Sequence, residues 1–398
     1  MKRLLFVDDE PRILQGLQRQ FRGERHEWDM HFFDAAPKAL EFMADNPPDV
    51  VVTDMIMPVM DGAQLLTEVS QRHPNTVRIV LSGHADRESV LRLVGPAHQY
   101  LSKPCDSEEL RHAITRAFAL RDLLSSDQLK RLASRLGSLP SLPSLHLELT
   151  EEMRKEEPSI ERIGEIMSKD MGMTAKILQL VNSAFFGLAR SISNPTEAVN
   201  YLGLATVRAL VMSLQVFSQF EQKKVKDFSI ESLAQHCWTT GAFARRIAEK
   251  AQSDPKTNDQ CLLAGMLHDV GRLILAVGLP DNYERVLNTA REQHTTIWQV
   301  ELAEFGATHA EVGAYLLGLW GLPNPVIEAV AFHHRPADCP SRGFSPLIAV
   351  HVANAFAHDQ SGTHEDQPGN QIDEACLEAA GLSGKIDSWR DRCFDDGL

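Results

Sequence analysis

The chain has 398 residues, which at about 150 residues per domain indicates two or three domains and excludes a single small binding module. Hydrophobic residues make up 43% and charged residues 24%, a globular composition that excludes disordered, collagen-like and coiled-coil proteins. The 40 basic and 54 acidic residues give a net charge of −14, which argues against a protein that binds phosphate backbones.

The six cysteines form no short Cys-x-x-Cys pair, so neither a disulfide framework nor a thiolate zinc site is indicated. The first apolar run, 4–7, ends at Asp8, too early for a secretory signal. No window reaches the roughly 18 uncharged apolar residues that a membrane span needs. We therefore expect a cytoplasmic protein with neither nucleic acid nor membrane among its partners.

The first third of the chain alternates short β-rich runs with amphipathic helical patterns. Strands are predicted at 4–7, 50–53, 77–81 and 98–101, with helices at 12–21 and 62–71. Such alternation is typical of βαβ units, so we expect an α/β doubly wound parallel sheet, of five strands, with helices on both faces.

A predicted helix follows Asp106, and its apolar spacing continues to Leu136 across an interruption at 125–127. We place the first domain at 1–121, a helical connector at 122–138, a second domain at 139–340, and a C-terminal helical extension with an acidic tail at 341–398. Strand patterns disappear after residue 143, so the second domain is expected to be all-α. Its helices are predicted at 160–167, 173–186, 206–220, 232–251, 259–275, 283–294, 308–320, 325–333 and 346–358.

Polar side chains follow the predicted strands of the first domain. Asp8 and Asp9 follow the first strand and Asp54 the third, and the carboxyl ends of parallel strands form a ligand-binding crevice. Converging carboxylates repel one another unless a hard cation such as Mg²⁺ lies among them. Ser82 after the fourth strand can donate a hydrogen bond, and Lys103 after the fifth can neutralise phosphoryl oxygens. The pattern predicts a phosphoryl-transfer site, although any one of these acids alone could be a solvated loop residue.

At these positions the sequence resembles the receiver domain of two-component response regulators, which has a flavodoxin-like fold. The resemblance implies that Asp54 accepts a phosphoryl group from a sensor histidine kinase or a phosphotransfer protein. It also implies that Asp8, Asp9 and Asp54 hold Mg²⁺, that Ser82 and Lys103 contact the phosphoryl group, that Tyr100 is an aromatic switch, and that the Lys103-Pro104 bond is cis. The motifs that carry the resemblance are FVDDE at 6–10, VTDMIMPVMDG at 52–62, LSGHA at 81–85 and YLSKP at 100–104.

Histidines recur in the helical region in a pattern that indicates metal ligands. Neutral imidazole and carboxylate suit Fe, Mn, Zn or Ni, whereas a single histidine on an apolar helix is more often a satisfied core residue. The candidate ligands of this second metal site are His236, His268, Asp269, His309 and His333.

The stretch 263–273 (LAGMLHDVGRL) resembles the HD superfamily of metal-dependent phosphohydrolases. The stretches 139–143 (LPSLP), 177–187 (ILQLVNSAFFG) and 198–203 (AVNYLG) are similar to the HDOD domain, an HD-related output domain that is generally regarded as non-catalytic. Asn354 stands where HD enzymes have a late Asp, and the residues after His334 lack the Gly-Tyr-Pro of the HD-GYP phosphodiesterases.

These resemblances predict a response regulator that signals through contact with an unknown downstream protein, or as a homodimer. The alternative is a phosphorylation-gated metal-dependent phosphohydrolase that uses the five candidate ligands.

Overall fold

The computed structural model describes residues 1–398 except 83–95, 125, 137–138, 140–141, 156, 183–190, 213–224, 340–342, 362–370 and 395–398. Within these residues a parallel sheet is followed by a region made only of helices. Both parts of the predicted fold class are therefore confirmed.

The sheet has the strand order β2-β1-β3-β4-β5, and every neighbouring pair is parallel. β1 is buried along its length from Leu4 to Val7, because helices cover both faces of the sheet. The order reverses between β1 and β3, so the carboxyl ends of these two strands border a crevice. The strands are β1 (Lys2–Val7), β2 (Trp28–Phe33), β3 (Val50–Asp54), β4 (Val77–Ser82) and β5 (Gln99–Ser102).

Four described helices belong to the sheet region: α1 (Pro11–Gln20), α2 (Ala36–Asp45), α3 (Gly62–Arg72) and α4 (Ser107–Leu123). α3 begins with a capping box between Asp61 and Gln64. A Cβ atom at Gly62 would lie 2.2 Å from the carbonyl oxygen of Asp54, so only glycine lets α3 start beside the end of β3.

The run predicted from Ser107 to Leu136 forms two helices, in keeping with the interruption of its apolar spacing at 125–127. α4 ends at Leu123, and a separate helix α5 (Asp127–Arg135) begins after Ser126, whose side chain accepts a hydrogen bond from the Leu129 backbone. A serine that binds nearby backbone N–H groups favours a helix start over a helix interior, which explains the break. Leu129 and Ala133 of α5 are buried, so the connector is packed against the rest of the protein.

The remaining helices form the second region. The predicted helix 259–275 is in fact two helices, because Asp269 leaves helical geometry with ψ at 11°. The predicted helices 173–186 and 206–220 each extend into residues outside the described part. The helices are α6 (Pro143–Arg154), α7 (Ile160–Ser168), α8 (Met171–Val181), α9 (Pro195–Met212), α10 (Ile230–Lys250), α11 (Pro255–Leu267), α12 (Val270–Gly278), α13 (Pro280–Glu292), α14 (Ile297–Phe305), α15 (His309–Leu319), α16 (Asn324–Phe332), α17 (Pro346–Ser361), α18 (Glu374–Ala379) and α19 (Ile386–Phe394).

The described part of the segment 341–398 is helical and packs into the helical region. α17 contacts α10, α11 and α16 and is buried at Val350, Val352 and Phe356. Trp389 of α19 is only 1% exposed.

One stretch, Pro255–Gly278, is long and apolar enough to cross a membrane by length and composition alone. In the protein, 78% of its apolar window is buried, and the stretch is divided between α11 and α12. Core helices of globular domains have the same composition.

The sheet, the connector and the helical region meet at Ser134 of α5. Arg78 of β4, which is 1% exposed, donates a hydrogen bond of 2.9 Å from Nη2 to the Ser134 carbonyl. This carbonyl lies in the last turn of α5, where no intrahelical donor is available. The Ser134 hydroxyl lies 3.3 Å from the hydroxyl of Tyr315 in α15.

Two glycines of the helical region allow close approach of α4 and α5. A Cβ atom at Gly318 would lie 2.4 Å from the Leu120 side chain, and one at Gly278 would lie 2.1 Å from the Leu132 side chain. One hydrophobic cluster therefore runs from one face of the sheet through α4 and α5 into the helical region.

Candidate functional site

Three carboxylates meet at the crevice between β1 and β3. Ligand oxygens of Asp8, Asp9 and Asp54 all lie within 4.8 Å of one another. Asp8 is buried, and its Oδ1 accepts a hydrogen bond of 2.9 Å from the Glu10 backbone, which orients the carboxylate. This donor set fits Mg²⁺, which prefers a few carboxylates together with water and phosphate oxygens.

Lys103 brings a positive charge into the same pocket. Its Nζ lies 2.6 Å from Asp8 Oδ2 and 2.8 Å from Asp54 Oδ1. The Lys103-Pro104 bond is cis, as the resemblance implies. Burial raises the pKa of Asp54, and Lys103 only partly offsets this effect. Burial disfavours the charged form of Lys103, but hydrogen bonds to Asp54 and Asp8 raise its pKa above the ordinary value.

The other two predicted residues of this site lie on β4 and β5. Ser82 is the last residue of β4 and pairs with Ser102, but its side chain lies outside the described part of the structure. Tyr100 pairs with Val80 and is buried, with its side chain in the hydrophobic cluster on the second face of the sheet. Burial raises the pKa of Tyr100, so its phenol is neutral.

A second cluster surrounds one oxygen of Asp269 in the helical region. Asp269 Oδ1 lies 3.1 Å from His309 Nε2 and 3.6 Å from both His268 Nε2 and His333 Nε2. The other oxygen, Oδ2, accepts a hydrogen bond of 3.0 Å from Arg272. Burial opposes ionisation of Asp269, but His268, Arg272 and His309 together hold its pKa well below the ordinary value. The cluster is therefore centred on a carboxylate anion.

Two of these imidazoles direct Nε2 toward Asp269 and Nδ1 toward a backbone carbonyl. Nδ1 of His268 donates to the Gly265 carbonyl at 2.7 Å, and Nδ1 of His333 donates to the Val330 carbonyl at 2.8 Å. A carbonyl can only accept, so each ring carries a proton on Nδ1, and in the neutral form of the ring Nε2 carries the lone pair. Both Nε2 atoms are buried and have no hydrogen-bond partner among the described residues. Burial lowers the pKa of His268 to about 4, so the ring stays neutral.

Buried lone pairs that face a carboxylate at 3.6 Å are unfavourable unless a cation lies between them. Metal-binding histidines commonly donate their other ring N–H to a backbone carbonyl or a carboxylate, as they do here. The residues therefore fit a metal ion of the Fe, Mn, Zn or Ni class.

His334 also belongs to the cluster, although it is not among the ligands predicted from the sequence. Its Nε2 lies 3.0 Å from His309 Nε2. Its position next to His333 in the sequence is the signal that could have identified it. The potential ligands form two groups that share Asp269: His309, His333 and His334 in one, and His236 and His268 in the other.

Hydrogen bonds to neighbouring residues distinguish potential metal ligands from histidines with a structural role. His236 Nε2 lies 3.0 Å from Asn354 Oδ1, so the amide occupies this nitrogen. His351 is fully engaged, because its Nδ1 bonds the His333 carbonyl at 2.8 Å and its Nε2 accepts from the Asp373 backbone at 2.8 Å. We therefore read His351 as a structural residue that holds the His333 backbone.

The cavity at this cluster is small, with a volume of about 20 Å³. Trp298, His334, Asn354 and His358 are among its lining residues. A cavity of this size holds one water molecule, whereas pockets for drug-sized ligands occupy about 300–1,000 Å³.

Comparison with known proteins identifies a family for each of the two regions. Residues 4–115 match the family model of the response regulator receiver domain, and residues 139–336 match the model of the HDOD domain. The two matches together place the chain in the class of two-component response regulators, with an HDOD domain after the receiver.

Individual relatives support the same arrangement. The chain is 28% identical over 219 residues to an uncharacterised protein of Treponema pallidum (strain Nichols), covering 55% of this chain and 42% of that protein. It is 33% identical over 114 residues to the DNA-binding transcriptional regulator NtrC of Escherichia coli (strain K12), covering 28% of this chain and 24% of NtrC. The chain therefore spans less than half the length of these curated relatives.

Among solved structures, the MmoQ response regulator from Methylococcus capsulatus str. Bath matches with a TM-score of 0.50 and 21% identity. The match covers 65% of this chain and 98% of that one. At this identity the similarity concerns the fold alone.

Proposed function

We propose that this response regulator works in a phosphorelay in which a sensor histidine kinase or a phosphotransfer protein phosphorylates Asp54. The main observation in support of this proposal is the position of Lys103. Its Nζ lies 2.6 Å from Asp8 Oδ2 and 2.8 Å from Asp54 Oδ1. The side chain of Asp54 is 14% exposed, so an incoming phosphodonor can reach it. We place the protein in the cytoplasm with its phosphodonor.

The chemistry follows from these groups. A carboxylate oxygen of Asp54 attacks phosphorus, the P–N bond to the donor histidine breaks, and the imidazole takes the electron pair. Lys103 neutralises charge on the transferring group, and Ser82 would donate a hydrogen bond to it. Mg²⁺ held by Asp8, Asp9 and Asp54 would neutralise further phosphoryl charge.

Phosphorylation by a small acyl phosphate in the presence of Mg²⁺ tests this proposal. We expect one acid-stable, base-labile phosphate on the protein and none on Asp54→Ala. Asp34→Asn is the matched control, since Asp34 follows the end of β2 and pairs instead with the exposed Lys38. Label that persists on Asp54→Ala would reject Asp54 as the acceptor.

For the HDOD domain we propose output through contact with a downstream protein or a second copy of the chain, without hydrolysis. The cavity of about 20 Å³ at the histidine cluster supports this reading, because a phosphate ester needs far more space. Phosphorylation would shift the receiver between two states, and α4 and α5 would transmit the shift.

A metal-dependent phosphohydrolase is the second candidate, and it is favoured by the Nε2 atoms of His268 and His333, which lack a hydrogen-bond partner in the described part of the chain. Elemental analysis of the purified chain, combined with hydrolysis assays on phosphate esters, separates the two functions. Turnover that disappears in Asp269→Asn would support the hydrolase. A bound metal without turnover would support output by protein contact, and absence of any transition metal would remove the hydrolase.

A further inference from the structure

Glu301 is a buried carboxylate outside the predicted ligand set. It lies on α14, is 0% exposed, and directs Oε2 toward the first residue of α15. Oε2 lies 2.6 Å from His309 Nδ1 and also accepts a hydrogen bond of 2.7 Å from the His309 backbone N–H. A single carboxylate oxygen therefore holds both the ring and the backbone of His309.

This contact determines which nitrogen of His309 faces the cluster. A carboxylate at Nδ1 holds a proton on that nitrogen, so Nε2, which faces Asp269 Oδ1 at 3.1 Å, is the nitrogen that would ligate a metal. His268 and His333 are oriented by backbone carbonyls instead. His309 is thus oriented by a full negative charge, which makes its ring the more basic ligand.

The second oxygen of Glu301 depends on the charge of the neighbouring His309. Oε1 is buried and has no hydrogen-bond partner within the described residues. Burying a carboxylate with one oxygen unpartnered is costly unless a positive charge lies nearby. His309 itself supplies that charge: burial disfavours its charged form, but Glu301 and Asp269 raise its pKa to about 9. A metal ion at Nε2 would replace the second proton of the ring and keep a positive charge beside Glu301.

We propose that Glu301 is a positioning residue for a transition-metal ion at the histidine cluster, acting through the orientation and basicity of His309. This inference rests on the proposed metal site. Carboxylates in this position change metal affinity by about 10–100-fold when they are mutated.

A helix-capping role is the competing explanation, because His309 begins α15 and Glu301 accepts its backbone N–H. The same helix end supplies a matched control. Glu311 accepts a hydrogen bond of 2.7 Å from the Thr308 backbone in a capping box, and its other oxygen pairs with Arg335 at 2.9 Å. Glu311 therefore caps α15 without a hydrogen bond to His309.

The test uses the full chain stripped of transition metals, with Mg²⁺ present to fill the carboxylate pocket, and titrates Zn²⁺ by calorimetry. We expect Glu301→Gln to weaken Zn²⁺ binding by about 10–100-fold, whereas Glu311→Gln leaves it unchanged. The denaturant midpoints of the metal-free variants should be similar. Glu301→Asp, one methylene shorter, is a second variant that withdraws the carboxylate from Nδ1 and should weaken binding in the same direction.

Each outcome decides between the explanations. Equal Zn²⁺ affinity in wild type, Glu301→Gln and Glu301→Asp would overturn the inference while leaving the metal site intact. If Glu311→Gln weakened Zn²⁺ binding as much as Glu301→Gln does, the role of Glu301 would be explained by helix capping alone. A wild-type chain that binds no Zn²⁺ would instead overturn the metal site and the inference together.

Discussion

The receiver pocket and the histidine cluster are both centred on carboxylates, but they obtain positive charge in different ways. In the pocket, the chain itself supplies Lys103 at hydrogen-bond distance from Asp8 and Asp54. In the cluster, Arg272 pairs with one oxygen of Asp269, while the other lies 3.1 Å from His309 Nε2 and 3.6 Å from two buried imidazole nitrogens that have no hydrogen-bond partner among the described residues. The pocket is suited to exchange a group with a partner, and the buried cluster is suited to retain an ion.

Removing the cation of the pocket should produce the largest effect. Lys103→Ala leaves charge on the transferring phosphoryl group without its nearest counter-ion, so we expect the rate of Asp54 phosphorylation to fall about 100-fold. The rate is measured with a small acyl phosphate and Mg²⁺. Lys38→Ala is the control, because Lys38 forms an exposed pair with Asp34. An unchanged rate in Lys103→Ala would show that the pocket does not depend on its own cation.

Removing the anion of the cluster tests the other half of the comparison. Asp269→Asn removes the charge shared by both ligand groups. Mutation of residues that only orient metal ligands typically lowers metal affinity by about 10–100-fold, so we expect Zn²⁺ affinity to fall by at least this much. Asp338→Asn is the control, since Asp338 is exposed and pairs only with Arg335 at 3.4 Å among the described residues. Retained affinity in Asp269→Asn would mean that imidazoles alone hold the ion.

The junction between the two regions is tested at Arg78. Arg78→Met removes the donor to the Ser134 carbonyl and to His98, and we expect the free energy of unfolding to fall by about 3 kcal/mol. Denaturant titration gives this value. Arg72→Met removes an exposed pair with Glu68 and should change stability by less than about 0.5 kcal/mol. A similarly small loss in Arg78→Met would show that the junction contributes little.

A pH effect is expected from Lys176, which is buried in α8 with Nζ 5.3 Å from the centre of the Trp320 ring. Burial lowers the pKa of Lys176 from 10.5 to about 7. Between these values the unfolded chain binds more protons than the folded chain. Stability should therefore rise with pH in this window, by up to about 1.4 kcal/mol per pH unit.

Lys176→Met should remove this rise. Denaturant titrations at about pH 7 and about pH 9 measure the difference for wild type and variant. Lys169→Met, at an exposed lysine that ends α7, should retain the wild-type slope. The same slope in Lys176→Met would place the pH dependence elsewhere.

The receiver pocket could be predicted from the sequence because its groups directly follow strands, and parallel strands bring their carboxyl ends together. Lys103, Asp8 and Asp54 come together as expected. The β2 strand gave a weaker signal, since its residues Trp28–Phe33 do not alternate cleanly between apolar and polar. Gly62 lay within a recognised motif, but its contact with the Asp54 carbonyl depends on where α3 begins.

The histidine cluster could be predicted only in part. His268, Asp269, His309 and His333 were identifiable as ligand types, and three-dimensional packing brings them together. Glu301 gave no local signal, because it lies in an apolar helix and reaches His309 only through the packing of α14 on α15. The break between α11 and α12 was missed because the apolar spacing continues through His268 and Asp269.

The glycine contacts at Gly318 and Gly278 bear on how the protein melts. Because α4 and α5 pack against the helical region and share its hydrophobic cluster, loss of either domain would expose apolar side chains of the other. The two domains should therefore unfold together in one calorimetric transition. A ligand bound to one domain would then raise the melting temperature of both, so a phosphoryl group on the receiver and an ion among the histidines can influence each other through shared stability.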